Sequence, residues 1–343
     1  MAATLSPAAM APEGGVARRP VLILRAGEWV GEARMAEISV GAAVSEGFAL
    51  IRRAPATVVI WGFAQVGLLA VVFTVLSPVY AAMFEAFRAS AAWGTGADAF
   101  QSMNPAVMQT QGLTYLIDVV EVGFAAVMYC AAYRAVLHPE QSAFGYLRVG
   151  MPELYVGALL IGAYFVFFIG ILIIVIVVGI IVAIFAVMHL WPAAIILGIV
   201  GALAVIVASF YIALRFSLIG PMIVDDGKFH FEDAWALTRG HVLPLFLVAL
   251  VLVLVVLAAE IVLGLVFVAI GLGGLSALAG GLGNLPTFFQ QPVGTIFARL
   301  SPLLVIAAMI WIPVAGAMNA ILLAPWARAY RDLKPTDVSA TFA

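Results

Sequence analysis

A chain of 343 residues that is 65% hydrophobic and only 10% charged, with a mean hydropathy of +1.17, has too little polar surface to stand in water. That excludes a soluble globular enzyme, and it leaves no soluble basic domain to grip nucleic acid. The lone Cys130 excludes a disulfide framework, and the net charge of −2 says little because the charge is segregated along the chain.

The first segment, Met1–Arg34, is rich in Ala, Pro, Gly and Arg and reads as a disordered tail. Its apolar stretch Pro20–Leu24, between Arg19 and Arg25, is shorter than the roughly 7–15 residues of a signal-peptide core. The patterned sequence begins only after Met35, which makes Met35 an alternative start. Six apolar runs follow, each near or above the roughly 20 residues needed to cross a bilayer. They lie at about Thr57–Tyr80, Leu113–Val136, Leu154–Ile181, Pro192–Phe216, Leu245–Gly271 and Leu303–Ala324.

Two phrases recur around these runs. The first precedes the odd-numbered runs: Phe48–Ile51–Arg52, Phe144–Leu147–Arg148 and Trp235–Thr238–Arg239, followed by Pro55, Pro152 and Pro244. The second closes the even-numbered runs: Tyr133–Arg134 to Pro139, Arg215 to Pro221, and Tyr330–Arg331 to Pro335. Three repeats of one unit are expected, over about 38–139, 140–221 and 222–335, within a membrane domain of 35–335 and before a C-terminal tail of 336–343. In the first repeat Val40, Val44, Phe48 and Ile51 share one helical face, which predicts a short helix in the headgroup plane. In the third, Phe231–Gly240 reads as a helix closed by glycine. The long connections Ala81–Gly112 and Gly271–Arg299 are expected to fold as re-entrant or interfacial segments. The expected fold is thus all-α: a polytopic integral membrane protein whose six transmembrane helices form three hairpins, each preceded by a short interfacial amphipathic helix.

With six spans, fourteen of the 16 Lys and Arg residues fall on the side of the two termini, leaving only Arg88 and Arg299 opposite. By the positive-inside rule both termini are cytoplasmic.

Two sets of residues are candidates for chemistry. Asp118, Glu121 and Glu260 are ionisable residues inside apolar runs, where each is costly. Asp118 and Glu121, at i and i+3, share a helix face, and Glu260 is expected at a similar depth in the outer half of the membrane. They converge on a site for a cation, a proton or a cationic headgroup, or they are structural polar contacts between helices. The second set is Arg52, Arg134, Arg148, Arg215, Arg239 and Arg331, whose repeat positions predict a cytoplasmic ring suited to anionic lipid headgroups. The competing reading is plain topology, since inner span ends are where arginine belongs. No hydrolase elbow, zinc-protease motif or nucleotide-binding loop is present, and the histidines lack metal-ligand spacing. The sequence therefore calls for neither an enzyme nor a cofactor.

Leu214–Gly227, LRFSLIGPMIVDDG, and Phe231–Gly240, FEDAWALTRG, resemble the membrane domain of the glycerophosphoryl diester phosphodiesterase family. There a span ends in Arg and is followed by an apolar-Pro stretch, an acidic-Gly turn and an amphipathic helix. The specific match covers about 30 residues and carries no catalytic residue; the phosphodiesterase barrel fused to this domain in some relatives is not part of the chain. The resemblance implies a bacterial inner-membrane protein without known activity and gives no ground for expecting a phosphodiesterase. Two functions are expected from these readings together. One is a non-enzymatic module that binds lipid, a membrane partner or a second copy of itself in envelope processes. The other is a transporter or channel for a small or amphipathic solute.

Overall fold

The computed structural model describes residues 38–93 and 96–334, with side chains described outside 86–110. The N-terminal tail with Arg18 and Arg19, the start at Met35, the side chains of Arg88 and Asp98, Pro335 and the C-terminal tail lie outside the described residues.

The described chain is all-α. In order come α1 (Val40–Arg53), α2 (Pro55–Trp93), α3 (Gly96–Leu137), two 3-10 turns (Pro139–Gln141 and Ala143–Tyr146), α4 (Met151–Val187) and α5 (Trp191–Phe216). Then follow α6 (Ile219–Asp226), α7 (Phe231–Leu237), α8 (Val242–Ala279), a 3-10 turn at Leu282–Asn284, α9 (Leu285–Phe289) and α10 (Val293–Leu333). Six helices, α2, α3, α4, α5, α8 and α10, are long and apolar enough to cross a membrane. The chain is a multi-pass membrane protein.

Local structure departs from the sequence reading in three places. Residues 81–112 are not a folded-back loop: α2 continues to Trp93 and α3 starts at Gly96. Likewise α8 runs on to Ala279 and α10 begins at Val293, so only a short 3-10 turn and α9 separate them. The Ala-rich stretch 81–93 has good helix propensity and simply extends α2, whereas the Gly-rich start of the second connection is helical against its propensity. The segment before α4 is not an amphipathic α-helix. Phe144, Gly145 and Tyr146 take positive φ angles of 52°, 65° and 64°, which breaks the helix into 3-10 turns. Gly145 suits this left-handed backbone, and the buried Trp61 of α2 locks it by donating its indole N–H to Gly145 O at 2.7 Å.

α1 forms where expected, with Ser39 as N-cap accepting from the Ala42 amide. Its fully buried residues are Ala43, Glu46, Gly47 and Leu50; of the row of Val40, Val44, Phe48 and Ile51, Phe48 is exposed and the other three are half-buried against the core. α1 is packed on α10. The reason is close packing: a Cβ on Gly47 would come within 2.6 Å of Ile321 Cα, so the small residues face the neighbour and the bulky Phe48 is left outside. α2 and α10 touch in the same way, through Gly62 against Ile312 O and Gly316 against Val58 O.

Burial is concentrated at the end of the spans that carries the arginines. The core comprises Ala126–Val136 of α3, Leu214–Val224 of α5 and α6, Leu245–Leu252 of α8 and Ala315–Leu333 of α10, with Leu50 and Trp61. Farther along, the helices expose their aliphatic side chains; the most apolar stretch of α4 has no buried residue. That is the pattern expected where lipid tails are as apolar as Leu and supply the solvent.

Candidate functional site

At the basic end each arginine that closes an even-numbered span is taken by the next entry segment. Arg134, at the end of α3, donates to Tyr146 O at 3.2 Å and forms an ion pair with Glu153 in the first turn of α4. Both residues are buried. Arg215, at the end of α5, lies over the Trp235 indole of α7, 4.4 Å from its centroid. It donates to Trp235 O at 3.2 Å and to the Thr238 hydroxyl at 3.4 Å. Arg331, near the end of α10, reaches back to α1, where its guanidinium is 3.7 Å from Glu46, and it also donates to Val136 O at 3.4 Å.

Glu46 is the hub of the last contact. It is buried, and it is met by Arg53 at 2.8 Å and by Arg328 at 3.7 Å as well as by Arg331. A desolvated carboxylate is costly unless paired, and here three guanidiniums surround it. Beside it Asp225 of α6 accepts from the Tyr330 hydroxyl at 2.8 Å and from Lys334 at 2.5 Å, fastening α6 to α10.

The six arginines therefore divide. Arg134 and Arg215 are buried and use their donors inside the fold, and Arg331 is held by Glu46 and Val136. Arg52, Arg148 and Arg239 are exposed, and Arg148 donates only to Gln141 nearby at 3.3 Å. The sequence reading missed Glu46 and Glu153, the acceptors that decide this division. Their signal was available: a carboxylate on an otherwise apolar or arginine-flanked helix face.

Next to this end lies an apolar cavity of about 540 Å³ between α4 and α5. Leu159, Gly162, Ala163 and Val166 of α4 face Ile212 and Phe216 of α5, and Phe229 and Phe231 close it from the α6–α7 connection. The two closing rings are stacked, 5.6 Å apart and 4° from parallel, and Tyr155 packs on Phe229 at 5.1 Å. The exposed Lys228 adjoins Phe229 in the chain.

The three carboxylates of the spans, Asp118, Glu121 and Glu260, are all exposed. None has a hydrogen bond or ion pair among the described residues. Glu260 sits midway along α8. Glu121 lines a cavity of about 240 Å³ with Gln65, Leu68, Leu69 and Phe124. Glu260 lines another of about 310 Å³, whose wall also includes Gln65. Asp118 lines neither. The structure thus brings Glu121 and Glu260 to two cavities with one residue in common. Between α2 and α10, Asn319 donates its side-chain amide to Gln65 Oε1 at 2.5 Å and to Ala315 O at 3.0 Å. Gln65 and Asn319 escaped the sequence reading because only ionisable residues were sought within the spans, and an uncharged amide in lipid needs a partner just as surely. Among the described residues, no group of three His, Cys, Asp or Glu side chains is placed to hold a metal ion.

The chain matches no family model, no curated protein and no solved structure.

Proposed function

We propose that the chain is a non-enzymatic module of the bacterial inner membrane, with both termini cytoplasmic, that holds a phospholipid at its cytoplasmic face in support of envelope processes. The observation that carries the reading is the apolar cavity between α4 and α5. It is walled by residues 158–167 of α4 and the end of α5, has no polar side chain in its lining, and carries a stacked aromatic pair at its mouth. An acyl chain fits such a lining, and aromatic rings belong at headgroup level. Lys228, with the exposed Arg52, Arg148 and Arg239, supplies the positive charge that attracts anionic headgroups. The threefold recurrence of entry and exit phrases supports an internal repeat, because each exit arginine docks on an entry segment: Arg134 on that of α4, Arg215 on α7, and Arg331 on α1. The resemblance of Leu214–Gly240 to the phosphodiesterase-associated membrane domain supports the same setting.

Gly162→Leu tests this directly. A Cβ at Gly162 meets nothing within 4 Å, so the larger side chain fills the cavity without displacing its neighbours. The variant, gently extracted and weighed by native mass spectrometry, is expected to lose co-purified phospholipid while keeping its unfolding temperature. Undiminished phospholipid in Gly162→Leu overturns the reading.

A further inference from the structure

We propose that the cleft between α8 and α10 is a binding site for a lipophilic ammonium cation, with Glu260 as its counter-ion. This proposal uses none of the residues of the α4–α5 cavity and stands or falls apart from the phospholipid reading.

The cleft has a volume of about 310 Å³. Its one charged group is Glu260, which has neither hydrogen bond nor ion pair among the described residues. A carboxylate halfway along a membrane-spanning helix is costly unless a cation or a proton accompanies it. The rest of the lining favours a cation. Trp311 and Phe267 stand in the same wall with ring centroids 5.9 Å apart, and indole faces attract cations. In the same lining the Gln65–Asn319 pair holds two carboxamides in place, adding polar groups without adding charge. Val256, Leu263, Met318 and Leu322 complete a surface suited to alkyl substituents.

The donor set does not suit a metal ion. It offers one carboxylate and neutral amides, where hard cations take six or more oxygens and commonly several carboxylates. Substituted ammonium carries its charge inside an apolar shell, and that matches a wall of one carboxylate, two rings and aliphatic side chains. Gln65 also lines the cavity that holds Glu121, so the two cavities share one amide.

The test is equilibrium dialysis of octyltrimethylammonium against the full chain in dodecyl maltoside, with protein-free micelles as the blank. Saturable binding near one cation per chain is expected, unaffected by octan-1-ol, which has the same chain without the charge. Glu260→Gln is expected to weaken binding about tenfold or more, the loss typical of a charged partner. Trp311→Leu is expected to weaken it less, and Gly162→Leu not at all. Full binding in Glu260→Gln overturns the proposal, and so does equal competition by octan-1-ol, a comparison made on the unmodified chain that needs no variant to fold. Loss of phospholipid with retained cation binding, or the reverse, separates this site from the α4–α5 cavity.

Discussion

Glu153, in the first turn of α4, holds the guanidinium of Arg134 at the end of α3, and both side chains are almost wholly out of solvent. Their partnership ties two successive spans at the point where the chain turns. Removing one member of a buried ion pair leaves the other charge stranded and costs about 3–5 kcal/mol. Glu153→Ala is therefore expected to lower the unfolding temperature in detergent strongly. The double change Arg134→Met with Glu153→Leu is expected to recover most of it, because no stranded charge remains. Thermal unfolding of the two variants measures both outcomes, and equal losses would mean that the pair acts through something other than charge.

The crossing of α2 and α10 makes a steric prediction. A Cβ on Gly316 would overlap Val58 O, and one on Gly62 would overlap Ile312 O. Gly316→Ala is expected to cost about 1–3 kcal/mol, the usual range for forced overpacking. Gly67→Ala on α2, where a Cβ meets nothing within 4 Å, is expected to be neutral. Unfolding curves of the two alanine variants, measured side by side, decide this.

Anionic-lipid retention is expected to follow the exposed arginines. Arg148→Ala with Arg239→Ala should reduce the anionic phospholipid kept through purification at low salt, and the difference from the unchanged chain should shrink as salt is raised, because salt screens the attraction of exposed charges for headgroups. Arg215→Ala should instead lower thermal stability, since its guanidinium is packed on Trp235 and bonded within the fold. Lipid retention and unfolding temperature, both measured on each variant, distinguish the two classes; an equal loss of lipid in both would show that exposure is not what matters.

Orientation is open to reporter fusion. A reporter after Lys334 is expected to read as cytoplasmic and one inserted at 94–95, between α2 and α3, as external, because fourteen of 16 basic residues lie on the terminal side. The opposite pattern would reverse the assignment of faces.

The six spans were legible because hydropathy over about 20 residues is a bulk property that no neighbour can override. Contact faces were not. The apolar row of α1 pointed to Val40, Val44, Phe48 and Ile51, whereas Gly47 and Ala43 decide the packing, since close approach rewards small residues and not greasy ones. The 3-10 turns before α4 depend on Trp61, some 80 positions earlier, and local pattern cannot contain such a partner. Charge counting found Arg134 and Arg215 but not their acceptors. A search confined to ionisable groups found Glu121 and Glu260 and passed over Gln65, the one residue that borders both of their cavities.

The contact of α1 with α10 has a consequence for how the protein is made. α1 leaves the ribosome before any span, and Arg328 and Arg331, which neutralise Glu46 together with Arg53, leave it after all of them. Until then Glu46 has only Arg53, and Gly47 has no backbone to rest against. The first helix must wait at the membrane surface while every hairpin inserts, and assembly finishes when the last helix reaches the first. The contact of longest separation along the described chain is also the one that joins its first and last helices. A stalled or truncated chain is left with an open α1, a half-neutralised carboxylate and a glycine-lined groove, a mark by which quality control could tell an unfinished copy from a completed one.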